Sequence, residues 1–174
     1  MGKALHVGEF APDLKGTPAN QPGEFDLKEA LADKPVVIVF SRYFGCPVCQ
    51  SDFDKLLNMK AKITSKARLV YITQSSPENA KKFLAGKDGV DFPVICDPAQ
   101  PYPLYNAYNI GNINLLTIAK MGGALIGGKY KHGDYEGNEK QSPADFVVGK
   151  DGKLLHVNYS LLNVGKLLEV IDRL

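Results

Sequence analysis

Residues 35–49, PVVIVFSRYFGCPVC, contain the clearest structural pattern in the sequence. Its first part, residues 36–40, is a continuous apolar and β-branched run, which is typical of a strand buried on both faces. A few turn residues follow, and Cys46 stands where a helix begins, with Pro47 at the first helical position. Apolar residues then recur at helical spacing from residue 49 to residue 57. The stretch therefore predicts a strand, a turn that carries a cysteine pair, and a helix.

The rest of the chain alternates further strands and helices. We predict a short helix near 27–32, a strand at 68–73 and a helix capped by Ser76. A short strand follows at 92–96, and Pro93 suggests that it lies at an edge of the sheet. The chain ends with a hairpin of strands 144–148 and 154–158 and a C-terminal helix capped by Asn163 or Ser160. A strand–helix–strand start requires parallel pairing, and a late hairpin adds antiparallel strands. The expected class is α/β: a central mixed sheet flanked by helices, with an extended N-terminal segment and an irregular insert, residues 110–142, before the last hairpin.

Composition favours one ordinary globular domain over residues 1–174. The chain is 44% hydrophobic and 23% charged, and its 21 basic residues nearly balance 19 acidic ones. A net charge of +2 gives no strong field for nucleic acid or an anionic membrane. The N-terminus shows no apolar region of a signal peptide. Three cysteines cannot build a disulfide framework, so we expect a protein of the reducing cytoplasm. The near-neutral net charge predicts that it has no nucleic-acid or membrane partners.

The pair Cys46 and Cys49 is the strongest functional signal. Cys46 is predicted at the positive end of a helix, where free backbone N–H groups stabilise a thiolate and lower its pKa below the ~8.5 of a free cysteine. Arg42 lies close in sequence and adds positive charge. Cys49 follows one turn later on the same helical face, within reach of a disulfide. We therefore expect an exposed, activated Cys46 and a sheltered Cys49 that together form a two-electron redox switch.

Two other interpretations of the pair stay open. A structural zinc site also uses the C-x-x-C spacing, but it needs two further ligands. Cys96, His6, His132 and His156 are available for this, although none belongs to a second paired motif. Alternatively, both cysteines are inert core residues. A C-x-x-C beside a β-α-β pattern favours redox chemistry over either alternative.

Four segments in order resemble the peroxiredoxin-like (AhpC/TSA-type) branch of the thioredoxin superfamily. They are VGEFAPDL (7–14), DLKEALADKPVVIVFSRYFGCPVC (26–49), YITQSSPENAKKFL with FPVICDP (71–98), and SPADFVVGKDGKLLH (142–156). The resemblance covers almost the whole chain and implies a thioredoxin-like fold. It places Cys46 and Cys49 on the redox-active pair. It also places Pro143 where thioredoxin-like proteins keep a cis-proline that faces the pair.

The resemblance implies a thiol-dependent antioxidant oxidoreductase without a bound cofactor. Cys46 would reduce a small hydroperoxide, Cys49 would resolve the sulfenic acid as a disulfide, and a thioredoxin-like protein or glutathione would reset the pair. Pro143, Tyr43 and Arg42 are the substrate-binding candidates. A homodimer is compatible with the sequence.

The chain also departs from the family pattern. Typical members carry Pro and Thr seven and three residues before the reactive cysteine, where this chain has Val39 and Tyr43. Since those residues normally line the peroxide pocket, reduction of protein disulfides is the alternative activity. Cys96 is expected to be an inert buried thiol, with a second resolving role as the alternative. His132 lies in a Gly-rich polar segment of a kind that can cover an active site.

Overall fold

The computed structural model describes residues 2–113 and 129–174. Its elements are β1 (Lys15–Gly16), β2 (Phe25–Asp26), α1 (Leu27–Asp33), β3 (Val36–Phe40), α2 (Pro47–Lys66), β4 (Arg68–Thr73), α3 (Pro77–Ala85), β5 (Val94–Cys96), α4 (Pro103–Ala107), β6 (Ala144–Val148), β7 (Leu154–Asn158) and α5 (Val164–Asp172). Strands β3 to β7 form one sheet in the order β5-β4-β3-β6-β7, and β1 pairs with β2 alone.

Strand β3 lies at the centre of the sheet, as its apolar sequence predicts. It runs parallel to β4 and antiparallel to β6, so that Ile38 is in register with Val70 and Phe146. All five residues of β3 are buried, and alternate side chains enter separate apolar cores on the two faces of the sheet. The mixed α/β sheet predicted from the sequence is confirmed.

Helix α2 connects β3 to β4 and sets the position of the cysteine pair. Pro47 occupies its first turn, and the apolar stripe places Phe53, Leu56 and Ile63 at 0% exposure against the sheet. The helix runs for 20 residues and ends at Lys66, next to the start of β4. Burial of this face fixes the helix on the sheet, so Cys46 is held at the carboxyl end of β3.

The predicted caps and the hairpin are also confirmed. The side chain of Ser76 accepts a hydrogen bond from the Asn79 amide at the start of α3, and Asn163 caps α5 in the same way. Strands β6 and β7 pair antiparallel at the predicted bounds. Strand β5 is an edge strand as expected, but it begins at Val94 instead of Phe92 because Pro93 has no N–H to donate.

Helix α4 was not predicted from the sequence. Tyr105 and Tyr108 are 1% and 0% exposed and pack in the core beside Phe40. Their three-residue spacing fits one face of a helix, but prolines at 101 and 103 conceal the signal. Pro103 stands in the first turn of α4, where its missing N–H costs nothing.

The insert before β6 is described only in part. The sequence of residues 113–121 is also compatible with a helix, but this segment lies almost entirely outside the described residues. Residues 130–141, which we call the covering loop, contain no helix and no ladder strand apart from one bridge between Gln141 and Asn112. The irregular insert expected from the many glycines is therefore confirmed for this part of the chain.

Candidate active site at the cysteine pair

The β3–α2 turn is anchored at both of its ends. The Gln74 amide donates to the Arg42 carbonyl at 2.8 Å, and the Phe44 amide donates to Ser75 Oγ at 2.9 Å. The Cys46 amide donates back to the Tyr43 carbonyl at 3.1 Å. Cys46 is the N-cap of α2, as the sequence predicts. The backbone around the sulfur is therefore fixed by bonds to the segment that follows β4.

Arg42 contacts the sulfur directly. Its Nη2 donates to Cys46 Sγ at 2.8 Å, and its Nη1 donates to the Glu139 carbonyl of the covering loop at 2.7 Å. Arg42 is only 6% exposed. Burial disfavours its charge, but the neighbouring sulfurs of Cys49 and Cys46 outweigh this effect and raise the pKa of Arg42. The guanidinium is therefore a permanent positive charge beside the sulfur.

Cys46 is a thiolate near neutral pH. Its pKa is lowered to about 6, first because the Cys49 thiol donates a hydrogen bond to it, against the opposing effect of burial. The Arg42 charge and the amides of Val48 and Cys49 at the helix N-terminus lower the pKa further. The helix terminus was the expected cause, and it contributes less than the second cysteine does.

Cys49 has the opposite behaviour. Its hydrogen bond to Cys46, its complete burial and the negative charge of Cys46 raise the pKa of Cys49 well above its usual value. All three described cysteines are free thiols, so the structure represents the reduced protein. One sulfur is anionic and the other holds its proton, which is the division of roles that a dithiol switch needs.

The expectation of an exposed Cys46 is wrong. Cys46 is 3% exposed and Cys49 4%, because the guanidinium of Arg42 and the covering loop close over the turn. A cleft of about 240 Å³ still reaches Cys46. Its walls are formed by Arg42, Tyr43, Pro47 and Val48 on one side and by His132, Tyr135 and Glu139 of the covering loop on the other. A small reactant can therefore reach the sulfur through this cleft.

The covering loop is fastened to the turn by close backbone contacts. The Gly133 amide donates to the Gly45 carbonyl at 2.9 Å, and a Cβ on Gly45 would lie 2.1 Å from the Asp134 carbonyl oxygen. Gln50 Nε2 donates to the Lys131 carbonyl at 3.1 Å, and the Ser76 amide donates to Glu136 Oε1 at 2.9 Å. Gly45 is the sequence signal for this approach, because only glycine leaves room for the second backbone.

Two of the three substrate-binding candidates lie at the sulfur. Arg42 and Tyr43 line the cleft together with Cys46, and Tyr43 Oη lies 3.2 Å from His132 Nε2. Burial, followed by the negative charge of Cys46, raises the pKa of Tyr43 to about 12. His132 of the Gly-rich segment stands at the mouth of the cleft, as its position in a covering loop suggested.

Pro143 differs from its expected geometry. The Ser142–Pro143 bond is trans, whereas the cis bond of the described chain is Gln100–Pro101. The Ser142 amide donates to the Gly111 carbonyl at 2.9 Å, so the chain enters β6 already extended and needs no tight turn. Pro143 does not line the cleft at Cys46; it lines a separate cavity of about 10 Å³ beside Asp52.

The burial of two carboxylates was missed by sequence reasoning. Asp52 of α2 has a side chain that is only 14% exposed, and burial raises its pKa although Lys55 lies 3.0 Å away. Asp145 is 1% exposed and lies 3.0 Å from His156 Nε2. The signal for Asp145 was its place inside the apolar run of β6, which forces it toward the core.

The remaining sequence candidates lie apart from the cleft. Cys96 ends β5, is half-buried, and burial raises its pKa to about 11, as expected of an unreactive thiol. Across residues 2–113 and 129–174, no three side chains of His, Cys, Asp or Glu are grouped so that they could bind a metal ion. In the same ranges no helix has the length and apolar character of a membrane span.

The geometry first defines a class of protein. A low-pKa cysteine at a helix N-terminus, a protonated cysteine one turn later and a mixed sheet behind them are the features of a thiol-based oxidoreductase. The AhpC/TSA family model matches residues 7–157, and the chain belongs to this family. A search among curated proteins found no match.

Solved structures described as peroxiredoxins and as thiol:disulfide interchange proteins share the fold. A peroxidoxin BcpB from Mycobacterium tuberculosis is 18% identical, with a TM-score of 0.70 and 97% of each chain covered. A peroxiredoxin-like protein from Aquifex aeolicus is 20% identical, with a TM-score of 0.71 over 99% of this chain and 89% of that one. A thiol:disulfide interchange protein from Chlorobium tepidum is 18% identical, with a TM-score of 0.62 and 98% of each chain covered. At these identities the likeness shows the fold alone.

Proposed function

We propose that this protein reduces hydroperoxides through Cys46, with Cys49 as the resolving cysteine. The observation that carries the proposal is the contact of Arg42 Nη2 with Cys46 Sγ at 2.8 Å inside a cleft of about 240 Å³. The cation holds the sulfur as a nucleophile and stabilises the negative charge that moves onto the peroxide oxygens during attack. Arg42 thus contacts the peroxide in the pocket that Pro and Thr would help to line in a typical family member.

The reaction has three balanced steps. The Cys46 thiolate attacks one peroxide oxygen, the O–O bond breaks, and the other oxygen leaves as an alkoxide or hydroxide that takes up a proton. The resulting sulfenic acid condenses with the Cys49 thiol, which releases water and forms the Cys46–Cys49 disulfide. An external dithiol of the thioredoxin type, or two glutathione molecules, then supplies two electrons and two protons.

The test compares single-turnover rates of the reduced protein with hydrogen peroxide and tert-butyl hydroperoxide. We expect the wild-type rate to exceed that of a free cysteine thiolate at the same pH by at least about 10²-fold, since preorganised charge is worth that much in enzyme sites. Cys46→Ser should abolish the reaction. Cys49→Ser should retain the first step but yield a stable sulfenic acid, and Cys96→Ser should behave as the wild type.

Mapping of the oxidised cysteines by mass spectrometry completes this test. One equivalent of peroxide should produce a Cys46–Cys49 linkage in the wild type. A wild-type rate equal to that of a free thiolate, or a linkage that involves Cys96, contradicts the proposal.

Reduction of protein disulfides is a second candidate. The low pKa of Cys46 and the buried, protonated Cys49 three residues later suit thiol–disulfide exchange as well as peroxide chemistry. The test is the rate at which the reduced protein opens the disulfides of insulin, measured beside the peroxide rates. Fast reaction with insulin together with a peroxide rate no better than a free thiolate favours this second function.

A reducing compartment suits both activities. Each turnover must return the pair to free thiols, and the chain offers no further cysteine pair that would do so internally. A cytoplasmic location and a thioredoxin-like or glutathione donor therefore remain part of the proposal. A coupled assay with thioredoxin and its reductase, run beside one with glutathione, identifies the donor by which of them supports repeated turnover.

A further inference from the structure

The hydroxyl of Tyr43 is a polar group in the cleft that the steps above leave unused. Tyr43 is 2% exposed, and it lines the same cleft as Cys46. Its oxygen lies 3.2 Å from His132 Nε2, across the gap between the turn and the covering loop. The phenol is therefore held beside the reactive sulfur by a residue that reaches solvent.

The hydrogen bonds of His132 determine which of its nitrogens holds the hydrogen. His132 Nδ1 lies 2.7 Å from the Gly133 carbonyl oxygen, and a carbonyl can only accept. Nδ1 is therefore the protonated nitrogen of the neutral ring, and Nε2 accepts the hydrogen bond from Tyr43. The exposed ring connects the buried phenol to bulk water.

Peroxide reduction needs a proton at the oxygen that leaves. Arg42 stabilises charge but does not give up a proton at any pH relevant to proteins. Cys49 donates its hydrogen to Cys46 and does not line the cleft. Among the described residues that line the cleft, Tyr43 is the buried one that carries an O–H group.

From this geometry we infer that Tyr43 is the general acid that protonates the departing oxygen, with His132 as the positioning residue that holds the phenol and returns its proton. The inference rests on the peroxidase function proposed above. The charged and titratable groups that face the phenol are Cys46, Glu139, Arg42 and the protonated Cys49, and burial raises the pKa of Tyr43 to about 12. Tyr43 is thus fully protonated at neutral pH, and its O–H acts as the acid when it turns from His132 Nε2 to the departing oxygen.

The proton balance closes around Tyr43. The Cys46 thiolate, a hydroperoxide and the phenol give a sulfenic acid, an alcohol and a tyrosinate. Water then protonates His132 at Nε2, and this proton passes to the tyrosinate, which restores both the phenol and the original form of the ring. No co-reactant beyond the hydroperoxide and water is consumed in this step.

The test uses the basicity of the leaving oxygen. tert-Butyl hydroperoxide expels an alkoxide, a strong base that needs a proton, whereas peracetic acid expels acetate, a weak base that leaves without one. We expect Tyr43→Phe to slow Cys46 oxidation by tert-butyl hydroperoxide by about 10²-fold or more, the usual size of a general-acid effect. The rate with peracetic acid should change by less than about threefold, a small fraction of that effect.

His132→Asn and Tyr130→Phe serve as the companion variants. His132 is exposed, so His132→Asn should fold, and we expect it to lower the tert-butyl hydroperoxide rate selectively as well. Tyr130 belongs to the same covering loop, but its hydroxyl donates to Asp54 at 2.9 Å and it does not line the cleft. Tyr130→Phe should therefore leave both rates unchanged. Iodoacetamide alkylation, which needs no acid, reports whether Cys46 itself is intact in each variant.

The outcomes separate the inference from the proposed function. Suppose that the wild type reduces tert-butyl hydroperoxide rapidly. If Tyr43→Phe then lowers the rates of Cys46 oxidation by both oxidants equally, or lowers neither rate, the acid role is overturned while the peroxidase function stands. If the wild type is no faster than a free thiolate with either oxidant, both fail together. Should Tyr43→Phe not fold, the selective loss in His132→Asn decides, and equal rates with both oxidants there overturn the inference.

Discussion

Arg42 joins the reactive sulfur to the loop that covers it. One arm of the guanidinium contacts Cys46 Sγ at 2.8 Å and the other contacts the Glu139 carbonyl at 2.7 Å. The sequence predicted the proximity of Arg42 to Cys46, since they are four positions apart in the chain. It did not predict the second contact, because Glu139 lies 97 residues away in the chain. The electrostatic and the structural roles of this residue are therefore separable by substitution.

Arg42→Gln should raise the pKa of Cys46 above about 6, because a positive charge that favours the thiolate is removed. A nearby charge typically shifts a pKa by about one unit or more. The measurement is the rate of iodoacetamide alkylation against pH in a Cys96→Ser background, where the midpoint reports the thiolate. Arg42→Lys, which keeps the charge, should show a smaller shift. An unchanged midpoint in Arg42→Gln would show that the guanidinium does not lower the pKa of Cys46.

At the scale of elements, the site is a junction between the β3–α2 turn and the covering loop. Strand β3 and helix α2 could be predicted because a buried strand and an amphipathic helix impose local apolar patterns. The covering loop has no such pattern: backbone groups of Gly133 and Asp134 meet Gly45, and scattered side-chain contacts such as that of Glu136 with the Ser76 amide add to them. The closed position of Cys46 follows from this segment, and the extended entry into β6 at Pro143 follows from the contact between Ser142 and Gly111, so neither was accessible to sequence reasoning.

Gly45→Ala should loosen the covering loop without unfolding the sheet. The new Cβ would lie 2.1 Å from the Asp134 carbonyl oxygen, so the loop must shift. We expect faster hydrogen exchange across residues 130–141 and a stability loss of about 1–3 kcal/mol, the usual cost of overpacking.

Gly86→Ala is the matched control for this experiment. The nearest atom to its new Cβ is 3.7 Å away, and Gly86 stands at the end of α3. Exchange across the covering loop should not change in this variant. Equal protection of the loop in Gly45→Ala and the wild type would show that the contact does not hold the loop closed.

For the whole molecule, the two thiols make stability depend on pH in opposite senses. In the unfolded chain both titrate near ~8.5, whereas in the fold the pKa of Cys46 is about 6 and the pKa of Cys49 is well above its usual value. Between pH 6 and ~8.5 the unfolded chain binds one proton more than the fold, so stability rises with pH. Above ~8.5 the fold keeps the Cys49 proton that the unfolded chain has lost, so stability falls.

The expected result is a maximum near pH ~8.5 in the contribution of the pair to stability. It is measured as the free energy of unfolding in urea, under reducing conditions, of the wild type minus that of the Cys46→Ser/Cys49→Ser double variant. Subtraction cancels every other titrating group. A difference that does not vary from pH 6 to pH 10 would mean that the pair titrates alike in the folded and unfolded chain.

Because the sheet and the covering loop are separate segments of the chain, they differ in how substitutions affect them. The sheet is complete with β3, β4, β5, β6 and β7, and none of these strands contains a residue of the covering loop. Insertions or substitutions in residues 130–141 can therefore leave a well-folded protein in which the Cys46 sulfur is no longer buried. In a survey of natural or designed variants, a normal melting temperature would be a poor guide to whether the chemistry survives.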